Sequence, residues 1–145
     1  MSEIRPRVAA LCIVRHGTRV LVQEYLDEER PVPYYRPVGG GIEYGEHSLD
    51  AVRREVQEEL SAEVSELRLL TIIENIYTNG SGQVAHQIAF IYEGVFTDRS
   101  LYEQPWLPGL EANGQVYRAL WKELDEFDME HAPLYPPGLL ALLRP

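Results

Sequence analysis

The chain has 145 residues and a mass of 16.6 kDa, which suits a single domain over 1–145 built on one core. Hydrophobic residues make up 45% and charged residues 25%, which excludes collagen-like, low-complexity and wholly disordered chains. Thirteen Lys and Arg against 23 Asp and Glu give a net charge of −10, a field that repels phosphate backbones and excludes sequence-independent binding to DNA or RNA. No apolar run reaches the roughly 18 residues of a membrane span. Met1 to Arg7 carries no secretory-type apolar stretch, and the lone Cys12 suits a reducing compartment. The expected location is the cytoplasm, with no membrane partner.

In chain order, the apolar run from Arg7 to Arg15 and the β-branched run from Arg19 to Tyr25 predict a β-hairpin turning at Gly17. Cys12 falls inside the first run, as a buried structural thiol rather than a nucleophile. Asp27 to Arg30 reads as a charged loop, and Pro31, Pro33 and Pro37 keep the following stretch extended. Gly39-Gly40-Gly41 reads as a turn that feeds a helix from about His47 to Leu60. Leu67 to Ile76 and Val84 to Phe96 predict two long strands joined through Asn79-Gly80-Ser81-Gly82, with His86 as a satisfied, partly buried imidazole. Thr97 to Gly114 reads as a long loop, carrying Trp106 as a lid anchor or a dimer contact. Gln115 to Trp121 predicts a strand, Glu123 to Glu130 a short acidic helix, and Pro136-Pro137 the start of a final helix through Leu143. This order gives an α/β (α+β) fold, a mixed central sheet covered by helices.

Chemistry concentrates between Gly40 and Ala62. On the expected helix, Leu49, Val52, Val56 and Leu60 form the core-facing stripe, and Glu55, Glu58 and Glu59 are neighbours at i, i+3 and i+4. Three carboxylates this close destabilise one another unless a cation neutralises them. Hard oxygen ligands without His or Cys suit Mg²⁺ or Mn²⁺ rather than zinc. Arg54, four residues before Glu58, offers a planar fork to pin a carboxylate. His16, His47 and His131 have no metal-ligand spacing with anything nearby in sequence.

Gly40, five residues, Glu46, seven residues, then Arg54-Glu55-Val56-Gln57-Glu58-Glu59 resembles the Nudix box, G-x5-E-x7-R-E-U-x-E-E-x-G-U with U aliphatic. The chain departs from it at Ser61, where the family has glycine, and at Ala62, where it has a larger aliphatic residue. Neither position carries a metal-binding carboxylate. The resemblance implies a Nudix-type α/β/α sandwich with the box loop and helix packed on the sheet. It also implies hydrolysis of a diphosphate linkage in a small nucleotide by metal-activated water. By matching positions, Glu55, Glu58 and Glu59 would hold the metal with the Gly40 carbonyl as a further ligand. Arg54 would orient Glu55, and Glu46 would support the loop–helix geometry or join the metal shell through water. The base would come from the box or from Glu103 or Glu111 in the 97–114 stretch. Arg36 is placed to meet a phosphate, against a salt bridge with Glu43 or Glu46 as the simpler role. Tyr34 and Tyr44, together with Tyr35 and Tyr77, are placed to stack on a nucleobase, against ordinary packing. The alternative is a non-catalytic nucleotide-binding module. Isomerisation of a prenyl diphosphate would want a pocket cysteine, which Cys12 does not supply. A homodimer through apolar strand edges is the expected assembly.

Overall fold

The computed structural model describes residues 4–26 and 31–145, so the charged loop expected over Asp27 to Arg30 lies outside the described residues. The chain runs β1 Arg7–His16, β2 Arg19–Tyr25, β3 Tyr34–Arg36, β4 Val38–Gly41, α1 Ser48–Leu60, β5 Val64–Thr78, β6 Val84–Phe96, β7 Trp106–Leu110, β8 Val116–Glu123 and α2 Leu139–Leu143. The expected hairpin forms: Arg15 pairs with Val20 and His16 with Arg19, with Gly17 at φ +65°. The two strands then diverge. β1 runs antiparallel to β4 and parallel to β6, which pairs with β5. β2 runs antiparallel to β3 and β8, and β7 completes that side. The result is a mixed eight-stranded sheet, open between β4 and the β2–β3–β8 side.

Strand β1 is apolar without alternation because both of its faces are covered. Ala10, Cys12 and Val14 pack with Ala51, Val52 and Val56 of α1. Leu11 and Ile13 pack with Leu134, Leu139, Leu140 and Leu143 of the C-terminal segment. The fold is thus the expected mixed sheet with a helical layer on each face, although the second layer is only five residues long. Helix α1 ends at Ser61, which takes the left-handed conformation (φ 52°, ψ 39°) and donates its N–H to Gln57 O at 2.9 Å. The serine fills the role of a C-terminal glycine at a cost of about 1 kcal/mol. Cys12 is buried, and burial pushes its thiol up to about 12. Among the described residues no helix is long and apolar enough to cross a membrane.

Four expectations need correction. Gly39-Gly40-Gly41 is not a turn but strand β4, in register with Leu11, Ala10 and Ala9. The chain reverses after it, where the Glu46 N–H donates to Glu43 O at 3.0 Å. The 97–114 stretch is not one long loop: it holds a 3-10 turn, Arg99–Glu103, and strand β7. β7 forms because Leu107 is buried beside Ala119, while Gly109 leaves room for the Tyr117 ring. Trp106 therefore sits on a strand with the Arg118 guanidinium 4.5 Å over its ring, not on a lid. The acidic helix shrinks to the 3-10 turn Leu124–Glu126, and α2 begins after Gly138 rather than at the prolines.

The glycines of β4 are dictated by close approach. A Cβ on Gly39 would lie 2.2 Å from the Ala10 carbonyl oxygen and 2.8 Å from Leu11 Cα, both backbone atoms that cannot yield. Gly39→Ala is expected to lose about 2 kcal/mol or more in urea denaturation. Gly45→Ala, in open space at φ +82°, is expected to lose only about 1 kcal/mol.

Candidate active site

Strand β4, the turn after it and helix α1 converge on the side chain of Arg54. Its Nε donates to Glu46 Oε2 at 2.8 Å and Nη2 to Glu46 Oε1 at 2.9 Å, a two-point clasp across the turn. Nη2 also donates to the Gly41 carbonyl at 3.0 Å, and Nη1 to Glu55 Oε1 at 2.9 Å and Glu58 Oε2 at 3.2 Å. Glu46 in turn accepts the Glu43 N–H at 3.1 Å. The Arg54 fork and that N–H hold the Glu46 carboxyl down to about 2, and Arg54 is correspondingly held above its usual range.

The three helix carboxylates occupy different environments. Glu58 is exposed, Glu55 is partly covered and Glu59 is buried at 8%. The Glu55 carboxylate lies flat against Gly40, where a Cβ would fall 2.5 Å from its Oε2. Glu59 Oε1 accepts the Tyr117 hydroxyl at 3.0 Å, while its Oε2 is buried with no partner among the described residues. Burial raises the Glu59 carboxyl to about 7; the Tyr117 hydrogen bond, the nearby Gly39 N–H and Arg36 oppose this, and the charge of Glu55 adds to it. Burial, with the charge of Glu59, drives the Tyr117 hydroxyl above its usual range.

The carboxylates do not share one point. Among the described residues, the acid and histidine ligand atoms within 4.8 Å of one another belong to Asp128, Glu130 and His131. That exposed turn corrects the expectation that His131 has no metal-ligand spacing with anything nearby in sequence. Asp128 is already engaged there, accepting the Glu130 N–H at 2.8 Å and facing His131 Nδ1 at 3.2 Å. The helix carboxylates instead stand apart, two on Arg54 and one on Tyr117.

Of the remaining candidates, Arg36 makes no salt bridge to Glu43 or Glu46; it lies over the Tyr25 ring at 5.5 Å, with its Nε buried and unpaired among the described residues. Tyr34 stacks on Tyr25 with centroids 4.9 Å apart and planes 9° from parallel. Both rings, with Tyr77, line a cleft of about 710 Å³. Tyr44 is fully exposed on the turn, outside that cleft. Tyr35 points into the other core, edge-on to Phe127. His86 meets Glu74 at 2.9 Å, a satisfied, half-buried ring as expected. Glu103 is exposed on its 3-10 turn. Glu111 reaches the site: it accepts a hydrogen bond from Gln23 Nε2, and its charge is felt by Tyr25 and Tyr117. Tyr117 and Gln23 escape a reading of the sequence; their only signal is a polar group at a core position of a strand.

A buried carboxyl raised by desolvation weakens the fold once it ionises. That cost is absent below pH 4.5 and complete above the folded value near 7. Glu59→Gln, which keeps an acceptor for Tyr117, is expected to stabilise the metal-free protein by about 1–2 kcal/mol at pH 8. No gain is expected at pH 4.5. Thermal melts of both proteins across that window check it; a constant difference would place the carboxyl in water.

The sequence pattern of the NUDIX domain matches residues 4–138. Among solved structures, a MutT NUDIX hydrolase from Burkholderia pseudomallei aligns with a TM-score of 0.67 at 22% identity, covering 96% of this chain and 97% of that one. A NUDIX-family hydrolase from Clostridium perfringens aligns with a TM-score of 0.63 at 16% identity, covering 97% and 95%. A mutator MutT protein from Bacillus halodurans gives 0.60 at 22% identity, covering 94% and 79%.

Proposed function

From the premise that this chain belongs to the NUDIX domain family, we propose that it is a divalent-metal-dependent pyrophosphohydrolase of a small nucleotide. What supports this reading is the buried Glu59 carboxylate, one oxygen unpartnered, beside Glu55 and above the glycine strand. The residues fit a hard cation: Glu55, Glu58 and Glu59 supply oxygen only, with the Gly40 carbonyl as a further oxygen. No His or Cys stands among them, which favours Mg²⁺, with Mn²⁺ as substitute. Bound there, the ion would neutralise the diphosphate oxygens and lower the pKa of the attacking water.

The chain's own residues supply the rest. Arg54 locks the turn to the helix through Glu46 and Gly41 O, fixing the backbone on which the carboxylates stand. Arg36, which pairs with no carboxylate among the described residues, is available to a phosphate oxygen. Glu111, held by Gln23 and facing the same cluster, takes the proton of the attacking water. The water oxygen then bonds to phosphorus as the bridging P–O bond breaks.

The test is a hydrolysis screen over nucleoside di- and triphosphates and nucleoside diphosphates linked to a second moiety, with products identified by mass. Glu58→Gln and Glu59→Gln are expected to cut kcat by about 10³-fold or more. Glu111→Gln is expected to cut it by about 10²-fold or more, leaving metal affinity unchanged. Glu103→Gln is expected to behave as wild type. Nucleotide binding without phosphate release would instead mark a non-catalytic binding module.

A further inference from the structure

The approximately 710 Å³ cleft beside Arg36 lies between the end of β2, strand β3 and the outer ends of β5 and β6. Its volume is that of a small-molecule site. Strand register builds one wall. Asn75 pairs with Gln87 across β5 and β6, and Gln87 pairs with Arg7 across β6 and β1. Residues directly opposite one another point to the same face, so Arg7, Gln87 and Asn75 form a polar row. All three line the cleft. None of the three side chains has a hydrogen bond or ion pair to a described residue.

Two features point to what the row binds. The cleft is also lined by the parallel Tyr25–Tyr34 pair, with Arg36 over the Tyr25 ring and Tyr135 edge-to-face with Tyr34, an aromatic lining that suits a planar ring. The row itself is rich in donors: a guanidinium has N–H groups only, and each amide has two N–H against one carbonyl. A donor-rich row complements a heterocycle edge that presents carbonyl acceptors. Arg36 links this cleft to the carboxylates, since it lines the cleft while its charge acts on Glu59. Arg36 is thus the residue that the cleft and the carboxylate cluster have in common.

We propose that the cleft between the Tyr25–Tyr34 stack and the Arg7–Gln87–Asn75 row is the base-reading subsite, specific for nucleosides whose base carries carbonyl acceptors. The inference rests on the reading of the chain as a nucleotide pyrophosphohydrolase for what the base is attached to. Its test needs no turnover. Guanosine and uridine 5′-monophosphates, adenosine 5′-monophosphate and base-free ribose 5-phosphate are titrated into the full chain without metal, followed by calorimetry. Guanosine and uridine monophosphates are expected to bind at least 5-fold tighter than adenosine monophosphate and 10-fold tighter than ribose 5-phosphate. Asn75→Ala and Gln87→Ala are expected to erase that preference, and so is Arg7→Ala, whose exposed position at a strand end leaves the fold intact. In turnover, these variants are expected to raise KM about 10-fold with kcat unchanged. Equal binding of ribose 5-phosphate, equal binding of adenosine monophosphate, or an unchanged preference in all three variants would overturn the proposal. Selective binding by a chain that hydrolyses nothing would retain the subsite and sink the catalytic reading.

Discussion

The arrangement depends on one guanidinium. Arg54 engages Glu46, Glu55, Glu58 and the Gly41 carbonyl, joining the end of a strand, a turn and a helix face. A lysine has the charge but not the planar fork, so it could not hold Glu46 at two points while reaching a carbonyl and a second carboxylate. The glutamates otherwise repel one another. With Arg54 in place, Glu46, Glu55 and Glu58 share its positive charge and Glu59 is left to Tyr117. The backbone beneath is fixed in the same way, by glycines whose missing side chains let β4 lie against β1 and let Glu55 rest on Gly40.

Helix geometry explains why the three carboxylates differ. At 100° per residue, Glu59 falls about 20° from Val52, on the apolar stripe itself, while Glu58 falls about 120° from it. Burial follows that order, with Glu59 in the core, Glu55 at its margin and Glu58 in water. Treating the glutamates as one face, as their i, i+3, i+4 spacing invites, hides this gradient. The gradient matters chemically. A carboxylate on the core stripe cannot shed its charge into solvent, so its elevated pKa and its unpartnered oxygen have one origin.

Much of this was legible in the chain. The hairpin at Gly17, the box helix and the β5–β6 pair all follow from local pattern. So does the identity of Arg54 and its glutamates, whose spacing is a local property. What resisted reading is non-local. A triple glycine reads as a turn until a neighbouring strand demands the space, and β7 reads as loop because Pro105, Pro108 and Gly109 mask it. Gly109 is there for Tyr117, whose ring a Cβ would approach within 2.3 Å. Tyr117 in turn is there for Glu59. Those two links join residues 58 and 8 positions apart in the chain, the first of them beyond any periodicity.

The distribution of cations follows from the same constraint. In a chain of net charge −10 acids are plentiful, and Arg15, Arg19, Arg54 and Arg68 each hold at least one. Arg36 is close enough to bias Glu59 as well, yet makes no ion pair to a described residue and lies over the Tyr25 ring. Its backbone position on β3, directly opposite Gln23, turns it toward the cleft and away from Glu46, which Arg54 already saturates. An uncommitted guanidinium against an aromatic ring is poorly hydrated and fully charged, a favourable partner for an anionic group entering between the carboxylates and the cleft.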